Sequence, residues 1–171
     1  YYGHWAHDSI ERCDALCLLN GMTESTRDLN MKLPRGEMFR LMDNVMKYQA
    51  KSKNIYDDLR QSHPQYDPIL HLTAAGVLTG YENGDVKADT AITRQEAVIL
   101  FARMFQVEED ERAVYRFEDA GDIGNWAKPL VGGMVSAGFI HGYNGLFRPQ
   151  EFITLGEVTQ ILDNMLANLY N

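Results

Sequence analysis

One hydrophobic stripe occurs three times along the chain. Apolar residues fall at Met38, Leu41, Met42, Val45 and Met46, then at Ala97, Leu100, Phe101, Met104 and Phe105, then at Val158, Ile161, Leu162, Met165 and Leu166. Each set has the i, i+3, i+4, i+7, i+8 spacing that gathers its members on one side of an α-helix. A glutamate directly precedes each stripe, and these glutamates, Glu37, Glu96 and Glu157, lie 59 and 61 residues apart (96 − 37 and 157 − 96). The outward pair Asp43-Asn44 returns as Asp163-Asn164. A repeated helix is therefore predicted, with a period of about 60 residues.

The match extends upstream. Ile69, Leu72 and Thr73 in one copy, and Leu130, Met134 and Val135 in the other, predict a preceding helix that stops at Gly76 or Gly138. The runs from Gly80-Tyr81 to Asn83-Gly84 and from Gly142-Tyr143 to Asn144-Gly145 then mark tight turns that need positive φ. The first copy keeps Trp5-Ala6 and Gly21-Met22, but its first helix is about one turn longer and its loop shorter. Each unit thus reads as helix, glycine stop, turn-bearing loop and second helix. One such pair cannot bury two apolar stripes alone, whereas three pairs can pool them. The expected fold is all-α: units 1–48, 49–106 and 107–171 packed as a pseudo-three-fold bundle sharing one core. Segments 47–60 and 106–116 are expected to be polar connectors, with Ile55, Leu59, Val114 and Tyr115 as candidates for local packing.

Composition narrows the class without changing this picture. Of 171 residues, 45% are apolar and 23% charged, and the 14 glycines and 5 prolines follow no period of three, so disorder and collagen-like structure are excluded. The longest apolar run, Ala97 to Ala102, is far short of the roughly 20 residues that cross a bilayer. The first residues show neither a basic region nor an apolar stretch of the kind that opens a signal peptide, which is expected to be absent or already removed. Net charge is −8, the wrong sign for a general nucleic-acid or anionic-membrane binder, so an anionic ligand needs a local basic site. Cys13 and Cys17 are the only cysteines. With Ile10 they share one helical face, which predicts small, reduced core residues.

The order Phe117-x-Asp119, Trp126-Ala127, Gly138-Phe139-Ile140-x-Gly142-Tyr143-x-Gly145-x-Phe147-x-Pro149 and Ile153-Thr154-x-x-Glu157 resembles the S-layer homology repeat. So does the second copy, with Gly80-Tyr81, Asn83-Gly84 and Ile92-Thr93-Arg94-Gln95-Glu96. The resemblance covers almost the whole chain. It implies a three-unit helical bundle that attaches a bacterial surface protein to the cell wall without covalent bonds, outside the cell in the wall or S-layer. The ligand it implies is an anionic secondary wall polymer, often carrying pyruvate ketals on an amino sugar, or else modified peptidoglycan. No cofactor and no metal is implied.

Thr93-x-x-Glu96 and Thr154-x-x-Glu157 spell capping boxes, each stabilising its helix by roughly 1 kcal/mol. Arg94 falls on the first helical turn, near unpaired backbone donors and the positive end of the dipole, where a guanidinium fork suits a carboxylate. Spacing alone also allows a solvated surface side chain. The resemblance assigns the matching arginine to the acidic sugar, which makes Arg94 and Arg35 the leading ligand residues. Pro34 replaces the capping threonine before Arg35, and Leu155 stands where the third arginine belongs, so at most two sites are expected. Trp5 and Trp126 either stack on a sugar face or staple their helices into the core. Tyr81 and Tyr143 face the same choice. Gly80 and Gly142 serve backbone geometry and leave room for close approach by a ligand. Asp119 either orients a sugar hydroxyl or caps the connector. The second unit has Pro64 where tryptophan is expected.

Other chemistries find no pattern. His4-x-x-His7 lacks a second ligand pair. A calcium loop ending at Glu96 would need glycine where Thr90 stands and an acid where Lys87 stands. Nucleophile elbow, phosphate loop and catalytic triad are absent from the sequence. The expected function is non-catalytic wall anchoring; the alternative is a divergent structural or protein–protein module of a larger surface protein, its sugar sites partly lost.

Overall fold

The computed structural model describes residues 3–22 and 28–169. Part of the first unit's loop, positions 23–27, lies outside the described residues. Among the described residues six α-helices alternate with turns: α1 His7–Ala15, α2 Arg35–Met46, α3 Tyr66–Ala74, α4 Arg94–Met104, α5 Lys128–Ser136 and α6 Leu155–Leu169. Extended backbone is limited to isolated bridges among them. The protein is all-α, and none of these helices is long and apolar enough to cross a membrane.

Helices pack in three pairs: α3 lies on α2 and α5 on α4, with α1 closing onto α6. The residue two before each Arg35-type position joins these pairs through backbone. Leu33 N–H donates to Ile153 O (2.9 Å), Ile92 N–H to Leu33 O (2.9 Å) and Ile153 N–H to Ile92 O (3.1 Å), a closed ring of three bonds. All three residues are buried, so their amides have no access to water and must find partners in one another. The three apolar stripes meet in one cluster that includes Met38, Leu41, Phe101, Ala97, Val158 and Leu162.

Three expectations are corrected here. The first helix of the first copy is not a turn longer: α1, α3 and α5 are each nine residues, and the extra residues before Gly21 form turns after Ala15. Helix α1 ends at Ala15, and Cys17 beyond it is left-handed (φ 61°) and exposed, so only Cys13 is a core residue. Burial pushes the Cys13 thiol up to about 12. One thiol per molecule, Cys17, is therefore expected to react with a thiol reagent in native buffer, and the second only in denaturant; two rapid native equivalents would contradict this packing. The stretch 106–116 is likewise more than a connector. Glu111–Arg116 forms a 3-10 helix against α5, and the Asp110 amide donates to Pro129 O at 3.0 Å. The Gly132-Gly133 pair makes this possible: a Cβ on either would overlap the carbonyl oxygens of Asp110 or Glu108.

Candidate functional site

The start of each second helix rests on the turn of the following unit. Arg94 N–H donates to Glu151 O (2.8 Å) and Gln95 N–H to Pro149 O (2.9 Å). Arg35 N–H and Gly36 N–H likewise reach Thr90 O and Ala88 O, and Gly156 N–H reaches Leu29 O. These first-turn donors are thus consumed by backbone, which corrects the expectation that they stand unpaired beside Arg94. What remains for a ligand at this position is the side chain.

The capping carboxylates hold those side chains. Thr93 Oγ1 accepts from Glu96 N–H (3.4 Å) and donates to Glu96 Oε1 (3.1 Å). Thr154 Oγ1 does the same with Glu157 (3.3 and 3.0 Å), and Glu157 Oε1 also receives the Thr154 amide at 3.4 Å. The other oxygen of each glutamate takes the arginine of the preceding unit: Arg35 pairs with Glu96, and Arg94 with Glu157. This second role of the glutamates has no signature in sequence, because the partners are about 60 positions apart.

The two arginines differ in access. Arg35 has a side chain only 6% exposed, donates Nε–H to Val86 O at 3.0 Å, and lies against two rings, Tyr81 at 4.7 Å and Phe39 at 5.4 Å. Tyr81 also donates its hydroxyl to Glu96 Oε2 (3.1 Å), and burial raises its pKa, so the phenol stays a donor. Arg35 therefore offers no face to a ligand. Arg94 has Val98, not a ring, at the corresponding position four residues on, and opens onto a cleft of about 800 Å³. Its walls include Trp5, Tyr143, Arg148, Phe152, Glu157 and Ile161, with Gly142 and Thr154 at the lining. The cleft thus draws on residues from widely separated parts of the chain. In the third equivalent position Leu155 is fully buried.

The remaining candidates divide between cleft and scaffold. Trp5 and Trp126 are both 59% exposed, so neither is a core staple; Trp5 lines the cleft and Trp126 stands outside it, beside Gly124, whose amide donates to Gln95 Oε1 on α4. Tyr143 is 66% exposed at the cleft. Asp119 accepts the amides of Phe147 (2.9 Å) and Arg148 (2.7 Å), which fixes the turn that forms one wall. Asp58 does the same for Val86 and Lys87 in the second unit. The space above Gly142 and Gly80 is filled by the chain itself: a Cβ would come within 2.5 Å of the Phe117 ring in one and 2.6 Å of the Tyr56 ring in the other. Both glycines are left-handed, φ 74° and 76°. Sequence reasoning missed Arg148, which no repeated motif had marked.

Known proteins carry the same pattern. The S-layer homology domain matches residues 55–98 and 116–159, just over half of the chain and two of its units. The chain is 30% identical over 130 residues to Cell surface glycoprotein 1 of Acetivibrio thermocellus, a match covering 70% of this chain and 6% of that protein. It is 29% identical over 114 residues to the Cellulosome-anchoring protein of the same organism, covering 65% and 26%. Exoglucanase XynX of Acetivibrio thermocellus aligns over 98% of this chain at 22% identity, within 16% of its own length. The chain thus spans only a small fraction of each relative. With the repeated glycine, aromatic and capping-box elements in register with these matches, the chain belongs to the S-layer homology domain family, a module of the bacterial cell wall and surface.

Proposed function

We propose that residues 1–48 form a third unit beside the two matched ones, that the three make a pseudo-three-fold bundle, and that this bundle anchors a larger surface protein to the cell wall by gripping an anionic, pyruvate-bearing wall polysaccharide in the Arg94 cleft. The ring of bonds through Leu33, Ile92 and Ile153 supports the three-unit arrangement. The observation that carries the function is the cleft itself. On a chain of net charge −8 it sets two guanidinium groups among exposed flat rings, Trp5 and Tyr143, which suits a sugar with an acidic substituent. The module itself is non-catalytic in this proposal, and the hydrolases among the relatives carry their chemistry in the lengths this chain does not span.

A role in protein–protein contact, with the sugar sites partly lost, is the rival. The buried Leu155 and the enclosed Arg35 favour it, since they leave one accessible arginine where three units offer three positions. Co-sedimentation with purified sacculi separates the two. The protein is expected to pellet with sacculi at 0.1 M salt and to be released toward 1 M, as the screening length shrinks from about 10 Å to about 3 Å. Mild acid removal of the pyruvate ketals is expected to release it as well. Pelleting that is indifferent to the ketal would overturn the acidic-glycan function.

A further inference from the structure

Arg94 and Arg148 line one cleft but are held very differently. Arg94 is locked to Glu157, a carboxylate that its own capping hydroxyl and amide also hold in place. Arg148 is 38% exposed, and its pairing with Glu151 is long, 3.8 Å, to a side chain that is itself 61% exposed. Such a loose surface pair exchanges readily for another carboxylate, whereas the Arg94 pair does not.

The backbone at Arg148 is also unusual. Its φ is 60°, a left-handed conformation that glycine, asparagine and aspartate adopt with ease and a long Cβ-bearing side chain does not. Asp119 enforces it by accepting the Arg148 amide. The second unit repeats the device: Lys87 has φ 51°, its amide is held by Asp58, and its ammonium lies 4.6 Å from the Tyr81 ring, as the Arg148 guanidinium lies 5.5 Å from that of Tyr143. Glycine would relieve the strain at both places, yet both carry a long cation. Nine residues before Glu37, the matching position of the first unit holds Asp28. The helix start seated beside it, through Gly156 N–H to Leu29 O, is the one with Leu155 in place of arginine. Both cations are therefore missing from the same inter-unit position.

The geometry points to Arg148 as the residue that decides charge specificity: it takes the carboxylate of the acidic sugar in exchange for Glu151, over the face of Tyr143, while Arg94 braces the cleft wall through Glu157. This assignment rests on the acidic-glycan function proposed for the cleft. Isothermal titration of the whole chain tests it with two soluble probes, the methyl glycoside of an N-acetylhexosamine bearing a pyruvate ketal and the same glycoside without the ketal.

Arg148→Gln is expected to weaken binding of the ketal glycoside about tenfold, the loss of one charge-assisted contact, and to leave the ketal-free glycoside within about twofold of the parent. Glu151→Gln is expected to tighten the ketal glycoside about threefold by removing the competing anion. Circular dichroism of each variant checks the fold. Unchanged ketal binding in Arg148→Gln, or equal loss for both probes, would overturn the role of Arg148 while the parent's preference for the ketal still stood. A parent that binds both probes alike would overturn the glycan function together with this inference.

Discussion

Arg94→Ala is expected to lower affinity for ketal-bearing wall polymer by about 100-fold, because the side chain both braces the cleft wall and neutralises Glu157. Two effects add. The variant loses a guanidinium from the cleft wall, and it leaves Glu157 facing the cleft without its counter-ion, so an incoming carboxylate meets a fixed negative charge. Arg94→Lys keeps the charge but not the fork and is expected to lose about tenfold. Arg35→Ala provides the contrast. It removes an equivalent residue of the same motif from an enclosed pair, so wall binding is expected to stay near that of the parent while stability falls by about 3 kcal/mol. Titration against soluble polymer reads the first quantity, and guanidinium chloride unfolding reads the second. A folded Arg35→Ala that binds as poorly as Arg94→Ala would move the ligand site away from the Arg94 cleft.

The second large effect lies far from the cleft. Gly132→Ala and Gly133→Ala are each expected to cost about 3 kcal/mol or more, which for a chain of this size lowers Tm by about 6–12 °C. In an ordinary helix the same change stabilises by roughly 1 kcal/mol, because alanine gives up less backbone freedom. Here the sign reverses. The new methyl group would meet the backbone carbonyl of Asp110 or Glu108, and neither can rotate aside as a side chain can. The carbonyls are fixed because Asp110 is tied to α5 twice, by its amide to Pro129 O and by its carboxylate to the Ser136 hydroxyl. Gly121→Ala is the control: nothing stands within 4 Å of its Cβ position, and it is expected to change stability by less than about 0.5 kcal/mol. If Gly132→Ala matched Gly121→Ala in unfolding experiments, the close approach of connector and helix would be refuted.

The departures from the repeat pattern acquire meaning only when the units are assembled. In sequence, Pro64 is a defect of the second unit and Leu155 of the third. Folded, the Gly156 amide reaches Leu29 O, so Leu155 and Asp28 each lie one residue from the same contact. The open cleft, by contrast, gathers Arg94, Tyr143, Arg148 and Trp5 from distant parts of the chain.

What the chain determined by itself is everything that depends on a few neighbouring residues. The stripes at i, i+3, i+4 and i+7 specify helices, Gly76 and Gly138 stop them in the left-handed conformation, and Thr93 and Thr154 cap the next ones, because each is settled within one or two turns of backbone. Even so, Cys17 leaves the core face, because α1 ends two residues before it, which the apolar pattern does not show. Tertiary structure alone decided which arginine meets solvent. Arg35 and Arg94 occupy the same place in the same motif, but Phe39 and Tyr81 close over the first, while Val98 and an outward Tyr143 leave the second open. Helix formation is a local hydrogen-bonding matter; exposure also depends on Tyr81 and Tyr143, 46 and 49 residues from their arginines, and only packing brings these within reach.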